Sequence, residues 1–312
     1  MFVCLYCRMP KFLNMKTSFT NNILIVLVTG AKGQLGSEIQ RLSSNYNFKF
    51  LFADKSSLDL SDRNQMASYF KNNKINTVIN CAAYTSVDKA ETDFKIADTV
   101  NHLAVCNLAE ISKMNNCKLI HISSDYVYNG RNYKPYTESD TTNPCSVYGK
   151  TKLAGENCIQ KLNIENSIII RTSWLYSSYG TNFVKTMLKL GNEKKTLDVV
   201  CDQVGTPTYA RDLAKTILDI LPNIQNKNVE IYNYSNEGVL SWYDFAKEII
   251  KMNKLDCNIN PIESKDYPSI VERPYYSVMN KAKIKNDFNI SIPYWRDSLK
   301  ECLDEIKYKE EN

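Results

Sequence analysis

The stretch ILIVLVTGAKGQLGSE, residues 23–38, decides how the rest of the chain is read. Its first six residues are apolar and largely β-branched, the composition of a strand buried on both faces. Gly30, Gly33 and Gly36 then form a G-x-x-G-x-x-G turn that opens a helical stretch from about Gln34 to Ser44. Glycines there let backbone N–H groups approach a pyrophosphate, which the helix N-terminus stabilises. A tight turn without a ligand is the plain alternative, and three glycines alone do not separate the two. Position does: the turn joins the first strand to the first helix of an alternating series.

Outward from that turn, apolar runs at 48–54, 75–83, 118–124 and 167–173 predict four more strands. Helical spacing over 62–72, 96–115 and 148–162 alternates with them. Such alternation predicts an α/β fold, a doubly wound parallel sheet (Rossmann) covered on both faces. Beyond Ser173 the rhythm breaks. Helices are expected over 182–190, 210–221 and 241–252, the last capped by Ser241, with strands near 197–200 and 230–234. A Pro- and Tyr-rich segment from 261 leads to a last helix from about Tyr294. These pieces predict a smaller, partly discontinuous α/β substrate lobe. The expected division is an N-terminal extension over 1–22, with Met15 as an alternative start, and a dinucleotide-binding domain over 23–172 plus about 208–235. The substrate-binding lobe takes about 173–207 plus 236–312.

Bulk properties narrow the class. The 312 residues are 43% hydrophobic and 23% charged, the balance of an ordinary globular protein. Thirty-nine basic residues against 34 acidic ones give a net charge of +5 without a Lys/Arg cluster, so no nucleic-acid partner is expected. The start MFVCLYCRMP is a poor signal peptide, and 23–28 is too short to cross a bilayer, so no membrane partner is expected either. Of ten cysteines only Cys4 and Cys7 have C-x-x-C spacing, half a zinc site at best. Others, such as Cys81 and Cys106, sit in apolar stretches and read as small hydrophobes. Reduced thiols and a cytoplasmic location are expected.

Four positions carry chemistry. Asp54 ends the second strand, where a carboxylate holds adenosine ribose hydroxyls and repels a 2′-phosphate. That favours NADH, with Lys55 beside it leaving NADPH open; a turn or capping role for Asp54 is the bland alternative. Tyr148 and Lys152 form Y-x-x-x-K and share one face of a helix. An ammonium beside a phenol is expected to lower its pKa from about 10 toward working pH, so that the tyrosine passes a proton to a carbonyl oxygen as hydride arrives. Chance matches are common among 20 tyrosines. Ser124 supplies the context: it ends the fourth strand, at the sheet edge where such folds bind ligands, and its hydroxyl completes a Ser–Tyr–Lys set.

With these residues in view, the chain resembles the extended short-chain dehydrogenases and, within them, the dTDP-4-dehydrorhamnose reductase family. The resemblance rests on VTGAKGQLGSE (28–38), INCAAYTSVDKAE (79–91), ISSDYVYNG (122–130), PYTESDTTNPCSVYGKTKLAGE (135–156), RTSWLY (171–176), NFVKTML (182–188), DQVGTPT (202–208) and RPYYSVM (273–279). It implies reduction of the 4-keto group of dTDP-4-dehydro-L-rhamnose by NADH or NADPH, with a nucleotide sugar as substrate. Tyr148 is then the proton donor, Lys152 its partner, and Ser124 stands where the family usually has threonine. Asp125 and Trp174 match sugar-nucleotide contacts. Gly33, Gln34, Leu35, Asp54, Asp59, Leu60, Ala82, Ala83 and Tyr84 match cofactor contacts, beside Gly30 and Gly36 of the turn. Bland readings stand beside them: Trp174 as core, Asp59 as a helix cap, Ala82 and Ala83 as a packed strand end. Some members hold a divalent cation between glutamates at a dimer contact. Glu38 and Glu305 match two of these, but Arg211 stands at a third, so no metal is expected, while a homodimer stays open. Two rivals remain: an epimerase or 4,6-dehydratase of the same superfamily, and a non-catalytic regulatory subunit on this fold. Tyr126 after Asp125, where a dehydratase places a glutamate, speaks against dehydration.

Overall fold

A computed structural model describes residues 23–311; the expectations for 1–22, and the Cys4/Cys7 pair, lie outside the described residues. In chain order the first half runs β1 (Ile25–Thr29), α1 (Gln34–Leu42), β2 (Lys49–Ala53), α2 (Arg63–Asn73), β3 (Thr77–Asn80), α3 (Val87–Thr92), α4 (Phe94–Asp98), a π-helical turn (Thr99–Leu103), α5 (Ala104–Met114), β4 (Lys118–Ser124), α6 (Val147–Leu162) and β5 (Ile168–Thr172). The second half runs β6 (Leu175–Tyr176), α7 (Phe183–Glu193), β7 (Thr196–Val200), β8 (Val204–Gly205), β9 (Thr208–Tyr209), α8 (Ala210–Ile220), β10 (Glu230–Tyr234), β11 (Leu240–Ser241), α9 (Trp242–Met252), β12 (Asn258–Ile262), α10 (Ala282–Phe288) and α11 (Trp295–Glu311).

Six strands form one parallel sheet in the order β10-β5-β4-β3-β1-β2. The apolar runs are continuous because each strand is covered on both faces. Val26, Val28, Ile79, Ile120, Ile168 and Ile170 point into one cluster with α1 and α8. Leu27, Val78, Leu119 and Ile169 point into the other, with Met66 and Phe70 of α2 and Val105 and Leu108 of α5. Alternating direction along a strand makes that sorting automatic. The expected doubly wound parallel sheet is therefore what the chain builds.

A second core gathers Val184 and Met187 of α7, Phe245 and Ile249 of α9, and Leu299 and Leu303 of α11 around β7 and β12. Its ladders are short: β7 pairs with β12 and β6 with β9, both parallel, and β8 with β11, antiparallel. Helix α9 starts at a capping box, Ser241 accepting from the Asp244 N–H and Asp244 answering through the Ser241 N–H. No described helix is long and apolar enough to cross a membrane.

Several elements differ from the sequence reading. The helix expected over 96–115 is three pieces, with a π turn at 99–103 whose Asn101 side chain bonds the Tyr84 backbone on both sides and the Thr151 hydroxyl. Strand β12 (NINPI) escaped notice because Asn and Pro are poor strand residues. Helices α3 and α10 escaped because they span under two turns. Ile284 of α10 and Ile292 after it lie in the sheet's own cluster, not in the second core. The expectation of reduced thiols throughout is also corrected: Cys106 on α5 and Cys158 on α6 are joined by a disulfide, with Cα atoms 5.4 Å apart. Apolar surroundings made Cys106 look like filler; only helix packing brings its partner, 52 residues away, alongside it.

Candidate active site

The carboxyl ends of β1, β3, β4 and β5 open onto one groove with two compartments that share Gly33, Cys81 and Ala83. The first, about 440 Å³, lies beside the glycine turn and takes in Gly30, Asp54, Asp59, Leu60, Ala82 and Tyr84. The second, about 520 Å³, takes in Gln34, Leu35, Ser124, Asp125, Tyr148, Lys152 and Trp174. Of the expected site residues, Gly36 alone lines neither. A Cβ there would stand 2.4 Å from the Gly30 carbonyl oxygen, so Gly36 lets α1 close onto the turn and does not face the groove. Gly30 has φ +66°, and a Cβ on it would lie 2.7 Å from the Ala82 backbone nitrogen. The turn is thus a backbone cradle that only glycine permits, against the β3 end. A dinucleotide's phosphates fit such a cradle at a helix N-terminus.

At the outer end, Asp54 makes the local turn offered as its bland reading and also lines the groove. Its Oδ1 accepts from the Ser56 and Ser57 N–H groups at 3.0 and 3.1 Å, a local turn. Its other oxygen pairs with Lys32, a residue the sequence reading passed over as a variable position of the turn. The Lys32 ammonium and the serine donors hold the Asp54 carboxyl well below the usual carboxylate range. Asp59 makes a similar turn, accepting from Ser61 at 2.9 Å. The helix cap offered as its bland reading belongs to Asp62, which accepts from the Asn64 and Gln65 N–H groups.

At the inner end, Ser146 caps α6 by accepting from the Gly149 N–H, so the helix starts one residue before Tyr148. Glu156, two turns on, is buried with Arg171 of β5, their closest atoms 2.6 Å apart, while Arg171 also donates to the Tyr128 hydroxyl at 2.8 Å. That bond fixes the helix on the sheet and turns Tyr148 and Lys152 together into the groove. Both are buried. Ser124, at the end of β4, donates to Asp125 Oδ1 at 2.9 Å.

Burial governs the titration of this end. It pushes the Tyr148 phenol above its ordinary value; the Ser124 hydroxyl works against this, and the Asp125 charge adds to it. Burial pulls Lys152 down to about 8, with Glu156 and Cys81 opposing. It pushes Asp125 up to about 6 against hydrogen bonds from its serine neighbours. The expected lowering of the tyrosine by its lysine is therefore corrected. Lys152 Nζ donates to the Ile122 carbonyl at 2.7 Å, and the cost of desolvating a phenolate is the leading influence on Tyr148. A neutral phenol at neutral pH is nonetheless the form that donates a proton.

On the opposite wall, Trp174 adopts φ +48° and stacks on Trp242 with ring centroids 3.6 Å apart. Trp242, the first residue of α9, had no signal marking it for the groove: it follows a helix cap like any other aromatic. Asn182, the cap of α7, donates to Gln34 Oε1 at 3.0 Å and so ties the second core to the glycine turn. Away from the groove, Arg211 sets its guanidinium among Glu38 (3.1 Å), Glu301 (2.9 Å) and Glu305 (2.7 Å). These carboxylates already hold a cation belonging to the chain, so they do not fit a bound metal.

The family described as "RmlD substrate binding domain" matches residues 24–308. The dTDP-4-dehydrorhamnose reductase of Aggregatibacter actinomycetemcomitans is 39% identical over 285 residues, covering 88% of this chain and 97% of that protein. The spore coat polysaccharide biosynthesis protein SpsK of Bacillus subtilis is 38% identical over 280 residues, covering 90% and 97%. The crystal structure of dTDP-4-dehydrorhamnose reductase from Bacillus anthracis, in complex with NADP, superposes with a TM-score of 0.87 at 34% identity, covering 91% of this chain and all of that one. A Ser–Tyr–Lys wall, a glycine cradle and a match along nearly the whole described length lead to one conclusion: the chain belongs to the dTDP-4-dehydrorhamnose reductase family.

Proposed function

We propose that this protein reduces the 4-keto group of dTDP-4-dehydro-L-rhamnose to the hydroxyl of dTDP-L-rhamnose, using NADH or NADPH, in the cytoplasm. The observation that carries the reading is the convergence of Ser124, Tyr148 and Lys152 on one compartment that opens directly into the glycine cradle. When bound, the reduced nicotinamide supplies hydride to the sugar's keto carbon. The chain's own residues do the rest. Gly30, Gly33, Gln34 and Leu35 receive the pyrophosphate and its neighbourhood; Asp54, Asp59, Leu60, Ala82, Ala83 and Tyr84 enclose the adenosine side. Tyr148, protonated at neutral pH, gives its proton to the carbonyl oxygen as charge develops there. Ser124 hydrogen-bonds the same oxygen and Lys152 stabilises the phenolate left behind. Asp125, just past the end of β4, and Trp174 and Trp242, packed on the second core, hold the sugar nucleotide. In this reading the sheet serves the cofactor and the discontinuous lobe serves the substrate.

Lys32 bears on which cofactor is used. Pairing with Asp54 neutralises the charge that would repel a 2′-phosphate, and Lys55 also faces that compartment. Both NADH and NADPH are therefore substrates. The test is an assay with dTDP-4-dehydrorhamnose and each nicotinamide: one reduced cofactor consumed per sugar is expected. Conversion of the sugar without net oxidation of cofactor would return an epimerase or dehydratase, and no conversion by either cofactor would return a non-catalytic subunit.

A further inference from the structure

Beneath the lysine lies a buried polar chain that the mechanism above does not use. Thr29, Asn80 and His121 stand side by side on three neighbouring strands, Thr29 opposite Asn80 across β1 and β3, Asn80 opposite His121 across β3 and β4. All three are buried. The Thr29 hydroxyl donates to Asn80 Oδ1 at 2.7 Å, and the Ala82 N–H donates to the same oxygen at 3.2 Å. A backbone N–H can only donate, so the oxygen end of the amide is fixed there and Asn80 Nδ2 faces His121 Nδ1, 3.0 Å away. Nδ1 is then the acceptor, and the ring carries its hydrogen on Nε2. Burial, and then the positive charge of Lys152, hold His121 well below its ordinary value, so this neutral tautomer persists at working pH.

His121 Nε2 lies 3.4 Å from Lys152 Nζ, which also donates to the Ile122 carbonyl. The valences of that nitrogen decide the consequence. As an amine, Nζ accepts from the Nε2–H with its lone pair, gives one hydrogen to Ile122 and keeps one for the groove. As an ammonium, it sets an N–H against the imidazole N–H. Among the described residues Lys152 has no ion-pair partner. Glu156, on its own helix, is spent on Arg171, while Cys81 beyond β3 and Tyr148 one turn back are the other titratable groups around it.

We infer that His121 is a positioning residue that acts through Lys152, aiming its amine into the groove and easing the release of its proton. The inference rests on the reductase reading, in which Tyr148 must regain a proton after each turnover. The balance is closed: Tyr148 gives one proton to the substrate oxygen, the Lys152 ammonium returns one to the phenolate, and solvent restores the lysine. The amine left in the interval is the form that the imidazole N–H stabilises. Thr29 and Asn80 set the tautomer and tie it to the glycine turn.

Two variants, a rescue substitution and two readouts test this. His121→Phe keeps a ring and removes both nitrogens. Asn80→Asp places an acceptor against Nδ1, which moves the ring hydrogen to Nδ1 and turns Nε2 into an acceptor for the ammonium. Lys152 is titrated by NMR with 13C-labelled lysine, a measurement independent of turnover, and kcat is profiled against pH with dTDP-4-dehydrorhamnose. In both variants the Lys152 titration and the alkaline limb of kcat are expected to move up together by about one pH unit. For His121→Phe, kcat near neutrality falls about tenfold while KM for the sugar nucleotide stays within about twofold. His121→Gln, which keeps a donor and an acceptor, recovers part of that loss. Folded variants whose lysine titrates as in the wild type overturn the inference. So does an equal loss in His121→Phe and His121→Gln with no movement of the pH profile, which marks a structural residue. A wild-type protein that reduces no keto sugar defeats the reductase reading instead, while the lysine titration still decides what His121 does to Lys152.

Discussion

The two ends of the groove hold charged groups under opposite conditions. Beside the glycine turn, Asp54 sits half-buried at the mouth of the groove and is held ionised by the solvent-exposed Lys32 and by serine donors. Beside Tyr148 the protein has removed water, and burial is the leading influence on the phenol, the lysine, Asp125 and His121 alike. In water, a nearby opposite charge decides; out of water, the cost of charge itself decides. The outer end is therefore suited to recognising a charged ligand reversibly, and the inner end to moving protons between groups kept near neutrality.

The sharpest way to break that contrast is Tyr148→Phe. Loss of the buried phenol hydroxyl should lower kcat by about 10²–10⁴-fold, the range for a general acid, with cofactor affinity and melting temperature nearly unchanged. A matching loss of thermal stability would make Tyr148 a structural residue. A pH series comes next. Lys152 carries its charge below about 8 and loses it above, so kcat is expected to fall up to about tenfold per unit once pH exceeds that point. Stability moves the other way. An unfolded lysine holds its proton to 10.5, so between these values the unfolded chain binds more protons and this group's contribution to folding rises with pH. Activity lost together with stability over that window would count against the assignment.

Trp242→Ala removes the ring stacked on Trp174 and should raise KM for the sugar nucleotide about fivefold to tenfold, within the worth of an aromatic pair, with KM for the nicotinamide unaffected. Smallest is Lys32→Ala. With Asp54 unpaired, kcat/KM for NADPH should drop severalfold relative to NADH, a small effect because solvent screens the exposed Lys32. A preference that stays put would show that Lys55 or backbone groups decide it.

Much of this was legible in the order of residues. β1 and the turn after it, the Asp54 position, Tyr148 with Lys152, and Ser124 at a strand end are local patterns: periods of two and 3.6, glycines at fixed offsets, two side chains one helical turn apart. Backbone geometry alone dictates them, so spacing is sufficient to find them. Gly36 shows where such patterns stop informing, since a turn glycine for packing and one for a ligand share a single letter.

What only the tertiary structure decided are pairings between distant segments and the hydration each group ends with. Lys32 meeting Asp54, Trp242 meeting Trp174, Cys106 meeting Cys158 and His121 meeting Lys152 join different elements, and no periodicity encodes a partner. Nor does sequence state how much water a phenol keeps. Tyr148 sits beside a lysine in the chain, yet its phenol shifts upward, because folding buries it while turning that lysine toward a carbonyl. Local covalent geometry fixes which groups lie on one face; packing fixes their surroundings, and the surroundings set the chemistry.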